Sequence, residues 1–443
     1  MGIPHIKNAY ENVKEACEKR LAELYPAGIP NLVKERYEKE LGYLEHSESQ
    51  DDFEIFRLLR EEGNRTSQYM FLRGTISSSF LVYLLDCSGP NPLPPHYYCK
   101  KCGHMEMVDT PLFGIDLPEI KCPVCGESLT GDGFHLHEEF VWGIDGKREA
   151  YFNYGISSDF LPFAKRVLEK LYPENSVVSY GNERMFNVII GEIGDKLGVV
   201  HSGYVILPEG REMEDYPEVM TYLENGEPCL SASSIYLVND CGAKIIKLTP
   251  TVGIEKMMEL QKKSGLYACE IGIQELKRFT YYDLINSKEL LPMENNVFIH
   301  ESPKSYYAMS NFCAAVYNSY ADVDVDRYSE IDIWELKEKV LDKQEFQRYA
   351  CYTREGFYET LMECGLERKE AFQTSELIRK GKARREPEFE KLLIPEELKN
   401  IAKMSLYVFP RSLMIEYLLL AARLTYYMKW NSRIYSSVIR KKW

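Results

Sequence analysis

The sequence predicts an α+β fold, and three features predict it. Strand-like apolar runs recur between Tyr69 and Leu248, the pattern from Gly253 onward is almost wholly helical, and two Cys-x-x-Cys pairs interrupt the strand-rich part. A chain of 443 residues with 45% hydrophobic content can bury a large core, expected in two or three lobes. Its 54 basic and 68 acidic residues give a formal net charge of -14. Such a field repels a phosphate backbone, so any nucleic-acid groove must be a local basic patch. No signal peptide opens the sequence and no apolar run is long enough to span a bilayer, so a cytoplasmic protein with reduced cysteines and no membrane partner is expected.

Residues 5 to 45 place apolar positions at helical spacing, and Ala27-Gly28-Ile29-Pro30 breaks the run into two helices. In the second, Val33, Tyr37, Leu41 and Leu44 form an apolar stripe opposite Lys34, Glu35, Glu38 and Lys39, the pattern of a packing helix. Tyr69 to Phe80 starts as an apolar strand, turns through Gly74 into small hydroxyl residues and leads into a helix. Free backbone N–H groups at a helix start, with Arg73 beside them, suit an anion.

Cys99 and Cys102 form one Cys-x-x-Cys pair, Cys122 and Cys125 another, with nineteen residues between them and a Gly after each. Two residues between cysteines let both sulfurs reach one ion at roughly 2.3 Å, and four thiolates close a tetrahedral shell around Zn²⁺. A closed shell leaves no place for water, so a structural zinc ribbon is predicted in preference to two disulfides or four unrelated thiols. His104, His135 and His137 lie nearby and are read as polar loop residues. Cys17, Cys87, Cys229, Cys241, Cys269, Cys313, Cys351 and Cys364 lack knuckle spacing and read as small apolar side chains.

After the ribbon, residues 139–144 and 149–153 read as strands around a turn at Asp145-Gly146, and Phe160 to Leu171 as an amphipathic helix. A helix is expected over Met185 to Leu197, then strands over 200–208, 234–238 and 243–248. The remaining helices are expected at 254–263, 330–341, 343–364, 370–380, 395–406 and 412–429.

The frame around the ribbon, Asn91 to Tyr98, Phe113 to Pro118 and Asp132-Gly133, resembles the palm of the PolC-type bacterial replicative DNA polymerase, the alpha subunit of DNA polymerase III. The resemblance runs in order from the early palm to the end of the fingers. It implies four parts: N-terminal helices and early palm (1–90), the inserted zinc ribbon (91–140), a palm with mixed sheet and reduced thumb (141–252), and a helical fingers-like lobe (253–443). It implies that Arg73, Gly74, Ser78 and Ser79 match a loop against the incoming triphosphate, with Thr75 and Ser77 replacing a family Ser and Gly. Ile378 to Lys382, with Arg379, Lys380 and Lys382, and Phe409-Pro410-Arg411 match fingers segments near the triphosphate, although Leu413 stands at a family His. For Arg379 to Lys382, favourable charge at a helix C-terminus is an equal alternative.

This chain departs from the family where the chemistry belongs. The family pattern Asp-x-Asp-Leu-Asn-Phe holds two Mg²⁺ ions, and a later Lys-Leu-Asp supplies a third carboxylate. Here Glu149-Ala150-Tyr151-Phe152-Asn153-Tyr154 and Lys247-Leu248-Thr249 stand in that register. One acid of three remains, and Mg²⁺ prefers carboxylates and water. The expectation is a replication- or repair-associated polymerase homologue without nucleotidyl transfer, with Glu149, Tyr151 and Thr249 on neighbouring strands. An active core is the first alternative, with Mg²⁺ and with Asp159 or Asp240 joining Glu149. An interaction scaffold for replisome proteins is the second. Convergence of Arg73, Arg379, Lys380, Lys382 and Arg411 in one cleft would favour DNA or nucleotide as partner.

Overall fold

The computed structural model describes residues 2–183, 199–231, 236–279, 283, 305–321, 351–405 and 407–439. The two N-terminal helices form as α1 (Ala9–Leu24) and α2 (Asn31–Glu45), and Gly28 between them takes a φ of 115°. The predicted stripe of α2 is buried. A third helix, α3 (Gln50–Arg65), goes beyond the sequence expectation. Its Phe53, Phe56 and Leu59 recur at three-residue steps and are fully buried, a signal diluted by the charged residues between them.

The strand-rich part makes a seven-stranded mixed sheet in the order β1-β7-β12-β9-β8-β11-β10. These strands are β1 (Phe71–Leu72), β7 (Asn153–Ile156), β8 (Val177–Glu183), β9 (Val199–Ile206), β10 (Met220–Tyr222), β11 (Pro228–Leu230) and β12 (Lys244–Pro250). β12 runs parallel to β7 and antiparallel to β9. In register, Leu72 and Leu248 both pair with Tyr154, and Ile246 pairs with Tyr204. These residues share one buried cluster with α1, α2 and α3. Because strand side chains alternate, Arg73, Asn153, Lys247 and Thr249 stand on the opposite face, partly exposed. Gly203 of β9 lies across from Lys247 with a φ of 125°, and a Cβ there would sit 2.0 Å from the Ile246 carbonyl oxygen.

The ribbon adds two small sheets: β2 (His96–Tyr98) between β3 (Met105–Met107) and β6 (Gly131–Asp132), and the pair β4 (Ile120–Lys121) and β5 (Ser128–Leu129). A short helix α4 (Phe80–Leu84) follows the hydroxyl-rich turn, and α6 (Leu161–Leu171) forms where expected.

Three expectations are corrected. Residues 139–142 form a helical turn, α5 (Glu139–Trp142), rather than a strand. Three successive apolar side chains there meet two cores, Phe140 the C-terminal one and Val141 and Trp142 the sheet's. A helical turn can aim consecutive residues at different neighbours, whereas a strand would alternate them. The segment 149–152 precedes β7 instead of belonging to it. Within 234–238, residues 236–238 open a π-helical turn, Tyr236–Asp240. The expected helices at 185–197 and 330–341, residues 234–235 and the first part of 343–364 lie outside the described residues.

The C-terminal region is helical: α7 (Val252–Ser264), α8 (Ile273–Leu276), α9 (Tyr306–Ala321), α10 (Arg354–Glu363), α11 (Arg368–Arg379), α12 (Pro387–Glu390), α13 (Glu396–Met404), α14 (Arg411–Trp430) and α15 (Ser432–Ile439). α14 is apolar on nearly every side and accordingly buried almost throughout. It runs beneath the turn after β1, where Ser412 Oγ donates to the Gly74 carbonyl at 2.9 Å. Among the described residues no helix is long and apolar enough to cross a membrane.

Candidate metal centre and candidate active-site sheet

The four predicted cysteines converge. Their sulfurs lie within 4.8 Å of one another, with Cys99 to Cys125 at 3.5 Å and Cys102 to Cys122 at 3.6 Å. Four sulfurs at 2.3 Å from one ion would be about 3.8 Å apart, so the group could hold a tetrahedral metal ion. The two knuckles are built alike. Gly103 N–H donates to the Cys99 carbonyl at 2.8 Å and Gly126 N–H to that of Cys122 at 2.9 Å, with φ of 77° and 75° at the glycines. Burial raises the thiol pKa, but backbone N–H groups of Cys102 and Lys101 aimed at Cys99 bring it down to about 7. Those of Cys125 and Val124 lower Cys122 in the same way. Against the backbone N–H of His104 the neighbouring sulfurs push Cys102 up to about 12, and against that of Glu127 they raise Cys125, so each pair holds one cysteine that favours the thiolate, the form that binds metal, and one that favours the thiol.

The sheet face is chemically different. β12 and β7 bring Thr249 and Asn153 together, and the Thr249 hydroxyl donates to Asn153 Oδ1 at 2.8 Å. Glu149 does not lie on a strand beside them, as the sequence register predicted. Its carboxylate accepts from Ser49 Oγ at 2.5 Å at the start of α3, and the same Ser49 oxygen accepts from the Ala150 N–H at 2.9 Å. The hydroxyl of Ser49 thus anchors the segment before β7 and draws its acid toward the helix. Tyr151 is 57% exposed and its ring lies 5.3 Å from Lys247 Nζ. Desolvation raises its hydroxyl to about 12, opposed by the Arg73 charge, so Tyr151 is neutral at pH 7. Tyr151 and Lys247 line a cleft of about 360 Å³ together with Asp52 and Lys244, which pair at 3.0 Å.

The hydroxyl turn faces inward. Ser79 Oγ donates to Glu40 at 2.5 Å, Ser77 Oγ to Glu416 at 3.2 Å, and Ser78 Oγ is buried without a partner. Glu40 is fully buried and satisfied: it also accepts from Arg36 Nε, the Phe80 N–H and Trp142 Nε1. Glu416, buried beneath the turn, has its pKa raised to about 7 by burial, against the hydrogen bond from Ser88. Gly74, by contrast, has open space where a Cβ would stand.

The fingers-segment bases are arranged separately. Arg411 is 2% exposed and its guanidinium holds both oxygens of Glu359, at 2.7 and 2.6 Å. It also donates to the His135 carbonyl at 3.0 Å, and its backbone N–H donates to Glu355. Arg379 pairs with Glu376 at 3.0 Å, while Lys380 and Lys382 are exposed beyond the end of α11. His137, read from sequence as a loop residue, bonds Glu359 at 2.9 Å, and its ring is 4.8 Å from that of His135. These two histidines and Glu359 bring ligand atoms together, but the guanidinium on the carboxylate makes an ion pair there. Sequence reasoning missed Glu40, Glu355, Glu359, Ser49 and Lys247. The spacing of Glu355 and Glu359 on one helix face was the available signal for two of them.

Comparison with curated proteins places this assembly beside DNA polymerases. The chain is similar to PolC-type DNA polymerase III over 96% of its length, at 22% identity for that of Caldanaerobacter subterraneus subsp. tengcongensis and 24% for that of Thermotoga petrophila. The Oceanobacillus iheyensis protein is 23% identical over the same share. The chain spans 33%, 34% and 33% of those three relatives, about a third of their length. No family model matches.

Proposed function

We propose that this chain is a PolC-like palm, ribbon and fingers module, associated with DNA replication or repair, in which nucleotidyl transfer has been lost. One observation carries this reading: Tyr151 and Thr249 are neutral where the resemblance requires metal-binding carboxylates, and the surviving acid, Glu149, is turned to Ser49. Two metal ions cannot be held by a single diverted carboxylate, and without them the attacking oxygen is not activated and the transferring phosphate is not neutralised. The ribbon in this reading holds one structural Zn²⁺ at Cys99, Cys102, Cys122 and Cys125, since four thiolates and no open position suit that ion. The four-part division at residues 90, 140 and 252, DNA or nucleotide as ligand, replisome proteins as partners and a cytoplasmic setting belong to the same proposal.

Primer extension on a primed template with Mg²⁺ or Mn²⁺ tests it. The expected result is no template-directed incorporation. Incorporation that disappears on Glu149→Ala would overturn the reading in favour of an active core.

A further inference from the structure

The hairpin at the far end of the seven-stranded sheet takes no part in the site described above, and its chemistry suits a protein ligand. We propose that β10 takes up an extended, basic segment of a partner protein as an added strand. The proposal holds whether or not the chain transfers nucleotides.

β10 ends the sheet: it pairs with β11 on one side, and among the described residues no strand lies on the other. The bonds at its two ends show which backbone groups are left over. Ser231 N–H donates to the Val219 carbonyl and Leu223 N–H to that of Glu227, each at 2.8 Å. Bonded and non-bonded pairs alternate along an antiparallel ladder, so Thr221, opposite Cys229, turns its groups toward β11. Met220 and Tyr222 therefore aim their N–H donors and carbonyl acceptors outward, and Pro228, opposite Tyr222, has no N–H to give it. The edge is also preformed. Leu223 is 5% exposed, and Val219 packs on the small core that contains Leu230, which fixes both ends of the strand.

Soluble proteins commonly blunt such an edge with a charge or a proline inside the strand, and Val219-Met220-Thr221-Tyr222-Leu223 contains neither. Its Met220 and Tyr222, on one face, are 38% and 63% exposed. The charges lie around the strand instead. From Glu209 to Glu227 seven exposed acids stand against one base, Arg211, which pairs with Asp215 at 3.7 Å. Glu218, just before the strand, accepts from a neutral hydroxyl, that of Tyr236, at 2.7 Å. This field repels both a nucleic-acid backbone and a second copy of the same edge, and it attracts lysine and arginine. An extended segment in which basic and apolar residues alternate satisfies every feature at once. Its main chain bonds Met220 and Tyr222, its apolar side chains cover theirs, and its cations meet the acids.

The test measures binding of a fluorescently labelled peptide of alternating lysine and valine to the full chain by anisotropy. The lysine–valine peptide is expected to bind and its glutamate–valine counterpart not to. Methylating the peptide's backbone nitrogens keeps its charge, removes its donors and should weaken binding about tenfold. Tyr222→Pro deletes one outward N–H while leaving the bonds to β11 in place, and should weaken it about fivefold. Glu214→Gln combined with Glu227→Gln should weaken it about threefold at low salt and less at high salt. In hydrogen exchange, the peptide should slow the amides of Met220 and Tyr222 and leave that of Thr221 as it was. Absence of binding, equal binding of the glutamate or the methylated peptide, or an affinity unchanged by Tyr222→Pro would overturn the proposal. The methylated peptide probes the wild-type chain, so the outcome does not hang on the folding of the proline variant. A dimer of the chain that Tyr222→Pro dissociates would give the edge to a second copy, and displacement of the peptide by single-stranded DNA would give it to nucleic acid; either result overturns the proposal. Template-directed incorporation would overturn the loss of transfer alone.

Discussion

The ribbon and the sheet face are both places where a metal-binding family motif can be traced, and they differ in how their ligands are packaged. In the ribbon each pair of sulfurs comes from four consecutive residues, and the same carbonyl-to-glycine hydrogen bond shapes both knuckles. The sheet site takes its residues from the lead into β7 and from β12, stretches separated by dozens of residues and joined only by strand register. A local knuckle loses its metal and its fold together when a ligand changes. A distributed site can exchange its ligands one at a time, because Leu72, Tyr154 and Leu248 on the other face hold the sheet regardless.

The largest expected effect tests that contrast at the ribbon. Cys122→Ser should remove about one equivalent of bound metal and with it the folding free energy that a structural site supplies, on the order of 10 kcal/mol in isolated zinc modules. Limited proteolysis should then cut between residues 99 and 129 while the seven-stranded sheet stays protected. Elemental analysis giving well under one zinc per wild-type chain never exposed to chelator would break the comparison at its first term.

Next in size is a distributed site that has kept every partner. Glu359→Ala would strand Arg411, buried with its guanidinium bonded to both lost oxygens, and loss of one member of a buried pair costs about 3–5 kcal/mol. Denaturant unfolding should report a loss of that order. A change below about 1 kcal/mol would mean that Glu355, which already accepts the Arg411 backbone N–H, takes over the charge.

A smaller effect depends on pH. Glu416 ionises near 4.5 when unfolded, but burial raises it to about 7 in the fold. Between those values the folded state holds the extra proton, so this residue's contribution to stability falls as pH rises from about 4.5 to 7. His135 acts in the opposite sense: burial first, then His137, depress it from 6.5 to about 4, so its contribution is lost as pH falls through that window. Glu416→Gln should raise the melting temperature at pH 7.5 more than at pH 5 and leave the His135 loss unmasked on the acid side. Equal shifts at both pH values would refute the assignment.

What could be read from the sequence follows the same division between local and distributed features. Helices with a clear apolar stripe, α2 and α6, and the ribbon were legible because neighbours in sequence are neighbours in space. Residues 139–142 were not, since Phe140, Val141 and Trp142 have strand-forming character but serve two cores at once. Arg411 resembled a phosphate-contacting base, and nothing local indicated that Glu359, 52 positions earlier, would hold it. Ser79 likewise matched a loop against the triphosphate, but its hydroxyl donates to Glu40 from a distant helix, and the hydroxyl of Ser77, which stands at a family Gly, donates to Glu416. Lys247 was visible only as the residue before Leu248-Thr249; its significance depends on the strand pairing that sets it beside Asn153.

The smallest expected effect bears most directly on what the sheet framework requires at position 151. Tyr151→Asp removes an exposed ring and its contact with Lys247, a cation–π interaction that at a surface contributes about 0.5–1 kcal/mol. The new carboxylate can instead pair with the Lys247 ammonium, which at a partly exposed position returns about 0.2–1 kcal/mol. The two terms nearly cancel, and no core residue moves, because Phe152 and Tyr154 pack on the opposite side against Phe56. The melting temperature should therefore change by less than about 2 °C, since roughly 1 kcal/mol corresponds to about 2–4 °C in a domain of this scale. A drop several times larger would show that Tyr151 supports the fold, and the tyrosine at this position could then be explained by stability alone. A near-zero change would mean that the sheet imposes no structural penalty for either residue, so that the framework does not by itself dictate tyrosine at this position.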